Sequence, residues 1–235
     1  MIQHIKRLVS DFRNKKKSNQ EIFSKIYEKN YWGGETDGTF YSGEGTYVED
    51  LSLYTDALKR FIDENNIKSV CEIGCGDFHV SKNLMRNADF SYIGIDVVPA
   101  LVSHLNKAFS SEKIEFLCLD AASTDAKIPQ VELCVIRQVL QHLSNDQIQQ
   151  ILDNTSHIPN LIITEHVPKN TTVYNADKVT NGYIRLQNKI PSGVFLDKSP
   201  FNKNVQAELL KISLNDKNVS GQLIEAELIT SWIKQ

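Results

Sequence analysis

The chain lacks the long apolar runs and the excess of basic residues that mark membrane-spanning and nucleic-acid-binding proteins. No run among its 235 residues approaches the roughly 18 apolar residues needed to cross a bilayer, and no continuous apolar stretch marks a signal peptide. The formal net charge is −3, so the chain presents no overall positive field to nucleic acid. These absences predict a soluble, cytoplasmic protein with no nucleic-acid partner and no stable membrane insertion.

Cysteine is also scarce, and its positions suit neither a metal centre nor a disulfide framework. The four cysteines lie in or beside apolar segments, at Cys71, Cys75, Cys118 and Cys134. Cys71 and Cys75 do not have CxxC spacing, and no histidine cluster accompanies them. This pattern favours buried thiols in a reducing compartment, and we expect no metal ion.

Residues 1–50 differ in pattern from the rest of the chain and are expected to form an N-terminal helical segment and a lid loop. Basic residues cluster within residues 6–17 beside apolar residues at helical spacing. Two interpretations stay open: a basic amphipathic helix that contacts a membrane or partner, or an ordinary solvated helix. Residues 31–47 are rich in glycine and carry aromatic residues, which suits a mobile lid.

Residues 51–235 show strands and helices in regular alternation and are expected to form the main α/β domain. A helix runs to about Glu64, and the predicted strands that follow are 69–74, 91–96, 114–120, 132–137 and 160–165. The predicted helices between them are 80–86, 99–109 and 145–154. This alternation predicts a parallel sheet with crossover helices. Segments 205–214 and 222–232 predict an antiparallel C-terminal hairpin.

A polar, irregular insert at residues 168–204 follows the fifth predicted strand. Open α/β sheets bind ligands at this carboxyl edge, so we expect the insert to contact the substrate. Its basic residues Arg185, Lys189 and Lys198 could meet an anionic substrate such as a phosphate or a uronate. Ordinary surface charge accounts for them equally well.

The first strand ends in a glycine turn with an acid beside it, Glu72-Ile73-Gly74-Cys75-Gly76-Asp77. Such glycines let the backbone approach a ligand just before a helix N-terminus. A dinucleotide-binding motif would place a third glycine where this chain has His79. Asp96 and Asp120 end the next two strands. A carboxylate at Asp96 can accept both ribose hydroxyls of a nucleoside cofactor, although either acid alone could simply cap a helix.

The Glu72-x-Gly74-x-Gly76 motif, followed by the two acids, resembles motif I of class I methyltransferases that use S-adenosylmethionine (SAM). Many members have a further glycine where this chain has Phe78. The resemblance implies a Rossmann-like, doubly wound seven-stranded sheet with an antiparallel C-terminal hairpin and a helical N-terminal lid. It also implies SAM as cofactor, S-adenosylhomocysteine (SAH) as product, and the adenine amino group at Asp120.

Residues 137–144 resemble the segment "-VLEHL-" of small-molecule methyltransferases, in which the strand end lines the methionine half of SAM. His142 holds the matching histidine position, which implies a catalytic base; a packed histidine that orients its loop is the alternative. Ile26–Gly34 resembles the "IY-x-x-x-YWG" start of bacterial class I methyltransferases, some found with cell-surface glycan genes. This implies that the lid brings Tyr31 or Trp32 to the cofactor and substrate, unless the aromatics only anchor the N-terminal helix.

We therefore expect an enzyme that methylates a hydroxyl, or less favourably an amine, of a small molecule such as a cell-surface sugar or a phosphorylated precursor. His142 and Tyr31 are the predicted catalytic residues. The expected cofactor-binding residues are Trp32, Gly43, Glu72, Gly74, Cys75, Gly76, Asp96, Val97, Asp120, Ala121, Arg137 and Gln138. A NAD-binding Rossmann enzyme, a non-catalytic SAM-binding protein and an RNA methyltransferase are the alternatives. The chain has no [DN]-P-P-[YFW] motif, which disfavours nucleic-acid and glutamine methylation.

Overall fold

The computed structural model describes residues 17–33, 40–43, 45, 51–178, 181–188, 190–217 and 220–235. The basic N-terminal stretch up to residue 16 and most of the predicted lid loop lie outside the described residues, as does Lys189. The described part contains no helix with the length and apolar character that crossing a membrane requires.

A seven-stranded mixed sheet forms the body of the protein, in the order β3-β2-β1-β4-β5-β7-β6. Its strands are β1 (Ser69–Ile73), β2 (Ser91–Asp96), β3 (Ile114–Cys118), β4 (Leu133–Arg137), β5 (Asn160–Pro168), β6 (Val205–Lys217) and β7 (Leu223–Lys234). Strands β1 to β5 pair in parallel, while β7 pairs antiparallel with both β5 and β6. The predicted doubly wound sheet with an antiparallel hairpin is confirmed.

Five α-helices are described: α1 (Asn19–Glu28), α2 (Leu51–Glu64), α3 (His79–Leu84), α4 (Pro99–Phe109) and α5 (Asn145–Asn154). The bounds of α4 and α5 are those predicted, because their first turns carry local signals. Proline opens α4, and the Ser144 hydroxyl caps α5 in a reciprocal box with Gln147. The same box, Ser18 with Glu21, starts α1.

Two apolar cores lie on opposite faces of the sheet. Val70 of β1 packs into a core with α2, α3 and α4, whereas its neighbour Cys71 packs into the core that contains α5. On β4, Leu133 likewise packs into the first core and Cys134 into the second. Successive residues of a strand point to opposite faces, so the central strands are apolar throughout and buried on both sides. Because both faces of the sheet are covered, a binding site has to lie at the ends of the strands, and the carboxyl ends provide that place.

The last three strands are longer than predicted, and β3 is shorter. β5 extends to Pro168 and pairs with β7 along its length, and the β6–β7 hairpin reaches Lys217 and Leu223. Antiparallel backbone pairing extends these strands beyond their regular apolar positions. Apolar periodicity in the sequence does not reveal such pairing. β3 ends at Cys118, so Asp120 lies in the turn beyond the strand.

Candidate active site

A cavity of about 980 Å³ opens at the carboxyl ends of the parallel strands. All twelve predicted cofactor-binding residues line it: Trp32, Gly43, Glu72, Gly74, Cys75, Gly76, Asp96, Val97, Asp120, Ala121, Arg137 and Gln138. The two predicted catalytic residues, Tyr31 and His142, line it as well. Its position between β1 and β4 is where strand order reverses and where open α/β sheets bind their ligands. Its volume matches the upper range of small-molecule sites, about 300–1,000 Å³.

The glycine turn after β1 is shaped by close neighbours within the chain. Gly74 and Gly76 have φ values of 73° and 55°. A Cβ on Gly74 would lie 2.3 Å from Val139 Cγ2, and one on Gly76 would lie 2.5 Å from Ser42 Oγ. Phe78 has a left-handed φ of 63°, a conformation that favours glycine. Its buried ring packs within 5.0–5.3 Å of two aromatic rings, which compensates the backbone strain.

Glu72 contributes to the cavity wall, but its carboxylate is bound within the protein. It accepts hydrogen bonds from the hydroxyls of Ser81 on α3 and Tyr92 on β2. Burial raises the pKa of Glu72, and these two donors oppose that rise. The side chain therefore links α3 and β2 to the end of β1, next to the glycine turn.

Asp96 keeps hydrogen-bonding capacity toward the cavity. Its Oδ2 accepts from the Gly76 amide at 3.2 Å, and its Oδ1 accepts from the Val98 amide at 3.0 Å. Each carboxylate oxygen has a second lone pair. Burial raises the pKa of Asp96 to about 6, so the group is ionised at neutral pH. The arrangement can accept two neighbouring hydroxyls.

Asp120 is connected to the N-terminal helix by a residue that sequence analysis missed. Asn19 Nδ2 lies 3.1 Å from both carboxylate oxygens of Asp120, and the Ala122 amide donates to Oδ1 at 3.0 Å. Asn19 Oδ1 accepts from Gln147 Nε2 at 3.2 Å and from Asn181 Nδ2. The sequence shows only that Asn19 follows the Ser18 cap, and that position predicts no contact with Asp120.

The end of β4 contacts the predicted lid loop at Gly45. Arg137 Nη2 donates to the Gly45 carbonyl at 2.8 Å, and its guanidinium lies 5.0 Å from the centre of the Tyr54 ring. Within the described residues, the buried Nε of Arg137 and the buried Oε1 of Gln141 have no hydrogen-bond partner. Both residues line the cavity. One unmet donor and one unmet acceptor thus lie in the same wall.

Residues 40–43 lie across the glycine turn and are held by a set of hydroxyl contacts. Ser42 Oγ accepts from the Asp77 amide at 2.6 Å and is 2.9 Å from the Tyr27 hydroxyl. Trp32 contacts both Tyr27 and His142, with ring centres at 5.3 and 5.6 Å. Tyr31 also lines the cavity but is 65% exposed. Trp32 therefore anchors α1 and lines the cavity, while Tyr31 makes no such anchor.

His142 is held in one neutral form. Its Nδ1 lies 3.1 Å from the Gly182 carbonyl, which can only accept, so Nδ1 carries the proton and Nε2 is an acceptor. Burial, with a smaller effect from Lys178, lowers the pKa of His142 to about 3. The rings of Trp32 and Phe23 pack against the imidazole. The geometry is compatible with a base and with an orienting residue.

Glu165 is a second residue that sequence analysis missed as part of the site. Its carboxylate accepts from the backbone amides of Leu140 at 2.9 Å and Gln141 at 3.0 Å. Burial raises the pKa of Glu165 to about 8, although these two bonds oppose the rise. The carboxyl group thereby fixes the short 3-10 helix Leu140–His142, which presents His142.

The structure does not bring the predicted substrate residues Arg185 and Lys198 to the cavity. Arg185 is fully buried, and its guanidinium donates to the carbonyls of Leu143 and Ala176 and to Asn145 Oδ1. Lys198 pairs with Asp197 at 2.7 Å outside the cavity. Charge in the sequence suggested anion binding, but Arg185 instead holds the insert against the start of α5. No cluster of metal-binding side chains occurs among the described residues.

Comparison with known proteins gives a family match for part of the chain and structures of similar fold. Residues 70–158 match a family described as a methyltransferase domain. No curated protein matches the chain. A SAM-dependent methyltransferase from Anabaena variabilis is similar in structure, with a TM-score of 0.57 and 13% identity over 93% of this chain and 95% of that chain. TehB from Haemophilus influenzae gives 0.52 and 14%, over 77% and 61% respectively. Identities this low show the shared fold.

The donors and acceptors of the cavity fit SAM. Asp96 can accept the ribose hydroxyls, and the unmet Arg137 Nε and Gln141 Oε1 complement a carboxylate and an ammonium group, which are the charged ends of methionine. Residues 70–158 therefore match a methyltransferase domain within a Rossmann-like sheet, and S-adenosylmethionine is the cofactor that the cavity at the strand ends suits.

Proposed function

We propose that the protein transfers the methyl group of SAM to a hydroxyl of a small molecule, with His142 as the proton acceptor. The observation that carries this proposal is the fixed neutral imidazole in the wall of the cofactor cavity. Its Nδ1–H is bound to the Gly182 carbonyl, so its Nε2 can accept a proton. Burial keeps the ring neutral at physiological pH.

Residues at three strand ends would each bind a different part of the cofactor. Asp96 would hold the ribose, Asp120 the adenine amino group, and Arg137 with Gln141 the charged end of methionine. SAM supplies an electrophilic methyl group when bound. The protein then has to orient the acceptor oxygen and exclude water, and such positioning can lower a barrier by about 7–11 kcal/mol.

Residues 1–50 would act as the lid over this site, and residues 51–235 as the catalytic domain. Support comes from the described parts of the lid: Ser42 is bonded to the glycine turn at Asp77, and Gly45 to Arg137. Trp32 packs directly on His142. Tyr31 is the second candidate for the base, because its exposed side chain lies at the rim of the cavity.

The acceptor atom distinguishes the main proposal from its alternatives. A neutral imidazole can take a proton from an ammonium group as well as from a hydroxyl, so N-methylation is the closest alternative. The Ile26–Gly34 segment supports a sugar hydroxyl of the kind found in cell-surface glycans. A phosphorylated acceptor has less support, because Arg185 and Lys198 lie away from the cavity. A SAM-binding protein without activity would show cofactor binding and no product.

Mass spectrometry of pools of uncharged sugars and amino sugars incubated with SAM tests the proposal. We expect wild type to add one methyl group to a pool component, and fragmentation to place that group on oxygen. Asp96→Ala should form no product from the same pool. A product methylated on nitrogen would select the amine alternative, and SAM binding with no product in any pool would favour a non-catalytic protein.

A further inference from the structure

The cavity continues past the residues suited to SAM and reaches the C-terminal hairpin. His166 on β5, Leu228 on β7 and Ile212 on β6 lie side by side in the sheet register. Leu214 and Asp216 follow on β6 at alternate positions, so all five side chains share one face of the sheet. All five line the cavity. We call this set the hairpin face.

The insert covers part of the same sheet face and forms the opposite wall. Leu186 packs with Ala226 and Ile224 of β7, and Ile184 packs against the same cluster. Ile184 and Gln187 also line the cavity. The space between the insert and the hairpin face is therefore bounded on both sides by ordered elements with apolar side chains.

Two polar groups on the hairpin face retain hydrogen-bonding capacity. Within the described residues, His166 Nε2 is buried and has no hydrogen-bond partner. His166 Nδ1 is 4.0 Å from Asp216 Oδ2, which is too long for a hydrogen bond. Asp216 Oδ1 accepts from the Lys217 amide. A buried polar atom without a partner is unfavourable, so a ligand that bonds to it gains affinity.

The charge of this wall is negative. Burial lowers the pKa of His166, which keeps its ring neutral at pH 7, and Asp216 is the acidic side chain of this wall. Among the described residues that line the cavity, the lysine and arginine side chains are Lys25 on α1 and Arg137 at the end of β4, and neither lies on the hairpin. An anionic group would meet an uncompensated carboxylate here.

We infer that the hairpin face binds the methyl acceptor and selects an amine or a hydroxyl on an apolar body over an anion. Asp216 and His166 would hold the polar group, and the side chains of Ile212, Leu214 and Leu228 would contact the apolar body. This inference rests on the proposed function, since it assigns the second half of the same cavity to the acceptor.

Binding of three matched probes to SAH-loaded protein, followed by ligand-observed NMR, tests this inference. The probes are 2-phenylethylamine, 2-phenylethanol and 3-phenylpropionate. We expect the amine and the alcohol to bind and the carboxylate to bind about tenfold more weakly or not at all. Asp216→Asn should weaken the amine about tenfold and leave SAH affinity unchanged. Asp197→Asn, which removes the same charge outside the cavity, should change neither.

The possible outcomes separate the inference from the function on which it rests. A wild-type protein that fails to bind SAH contradicts the proposed function itself. If the protein binds SAH, three results would each overturn the acceptor assignment alone. They are equal affinity for the carboxylate probe, no binding of the amine or the alcohol, and an amine affinity that Asp216→Asn leaves unchanged. Should Asp216→Asn lose SAH affinity, His166→Gln gives the deciding measurement, because it alters the same wall from another strand and should weaken both amine and alcohol.

Discussion

The side-chain amide of Asn19 donates hydrogen bonds to both carboxylate oxygens of Asp120, at 3.1 Å each. Asn19 is the first residue of α1, and Asp120 follows β3 at the proposed adenine position. The same amide accepts hydrogen bonds from Gln147 on α5 and Asn181 in the insert. One buried side chain thus connects the N-terminal helix, the sheet edge and the insert.

Replacing Asn19 by alanine should loosen this connection. Asn19→Ala removes the acceptor for two side-chain donors, so we expect the free energy of unfolding to fall by about 1–3 kcal/mol. Amide hydrogen exchange in α1 should become faster, as measured by mass spectrometry. Gln20→Ala, an exposed neighbour on the same helix, is the matched control. Equal exchange rates in the two variants would show that α1 is held by its apolar contacts alone.

Replacing Asp96 by alanine should weaken cofactor binding without unfolding the protein. The carboxylate is proposed to accept both ribose hydroxyls, so its loss should cost about 2–4 kcal/mol of SAM affinity. Titration calorimetry measures this change, and the melting temperature reports the fold. Asp89→Ala, which removes an exposed carboxylate paired with Lys68, should leave the affinity unchanged. A dissociation constant that stays the same in Asp96→Ala would place the ribose elsewhere.

The raised pKa of Asp96 predicts opposite pH dependences for stability and for binding. Burial raises this pKa from 3.8 to about 6, so Asp96 loses its proton at a higher pH in the folded protein than in the unfolded chain. Its contribution to the free energy of unfolding therefore falls as pH rises between about 4 and 6. SAH affinity should rise over the interval near pH 6, by at most about tenfold per pH unit, because the ionised carboxylate accepts both hydroxyls. Calorimetry from pH 5 to 8 measures this dependence. If SAH affinity depends on pH as strongly in Asp96→Asn as in wild type, the dependence belongs to another titrating group.

Replacing His142 by alanine should impair turnover far more than cofactor binding. A positioned base contributes about 10²–10⁴ to a rate, so kcat should fall within that range while the SAM dissociation constant stays close to wild type. His157→Ala, at an exposed histidine, should change neither quantity. A kcat close to wild type would exclude His142 as the base and turn attention to Tyr31.

Local signals in the sequence predicted most of the fold and the sheet edge at which the cavity opens. Proline at the start of α4 and the Ser144 cap of α5 fix helix starts through neighbouring residues. Asp96 and Asp120 follow successive parallel strands, and parallel strands bring their carboxyl ends to one edge. Pattern and topology together therefore suffice to place these residues at one cavity.

The missed contacts depend on tertiary packing between distant residues. Asn19 is 101 residues from Asp120 and 162 from Asn181 in the sequence, and no periodicity links such positions. Glu165 lies in an apolar strand, yet its carboxylate meets the amides of the turn that carries His142. Arg185 was predicted to contact an anionic substrate because it is a basic residue of the insert that follows the fifth strand. The structure instead buries it against backbone carbonyls.

Titration calorimetry of the purified protein with SAM tests the central claim most directly. The account predicts binding in the micromolar range, which corresponds to roughly −7 to −9 kcal/mol, with SAH bound comparably and the melting temperature raised by either ligand. The absence of binding heat together with an unchanged melting temperature for both ligands would contradict the assignment of this cavity to SAM.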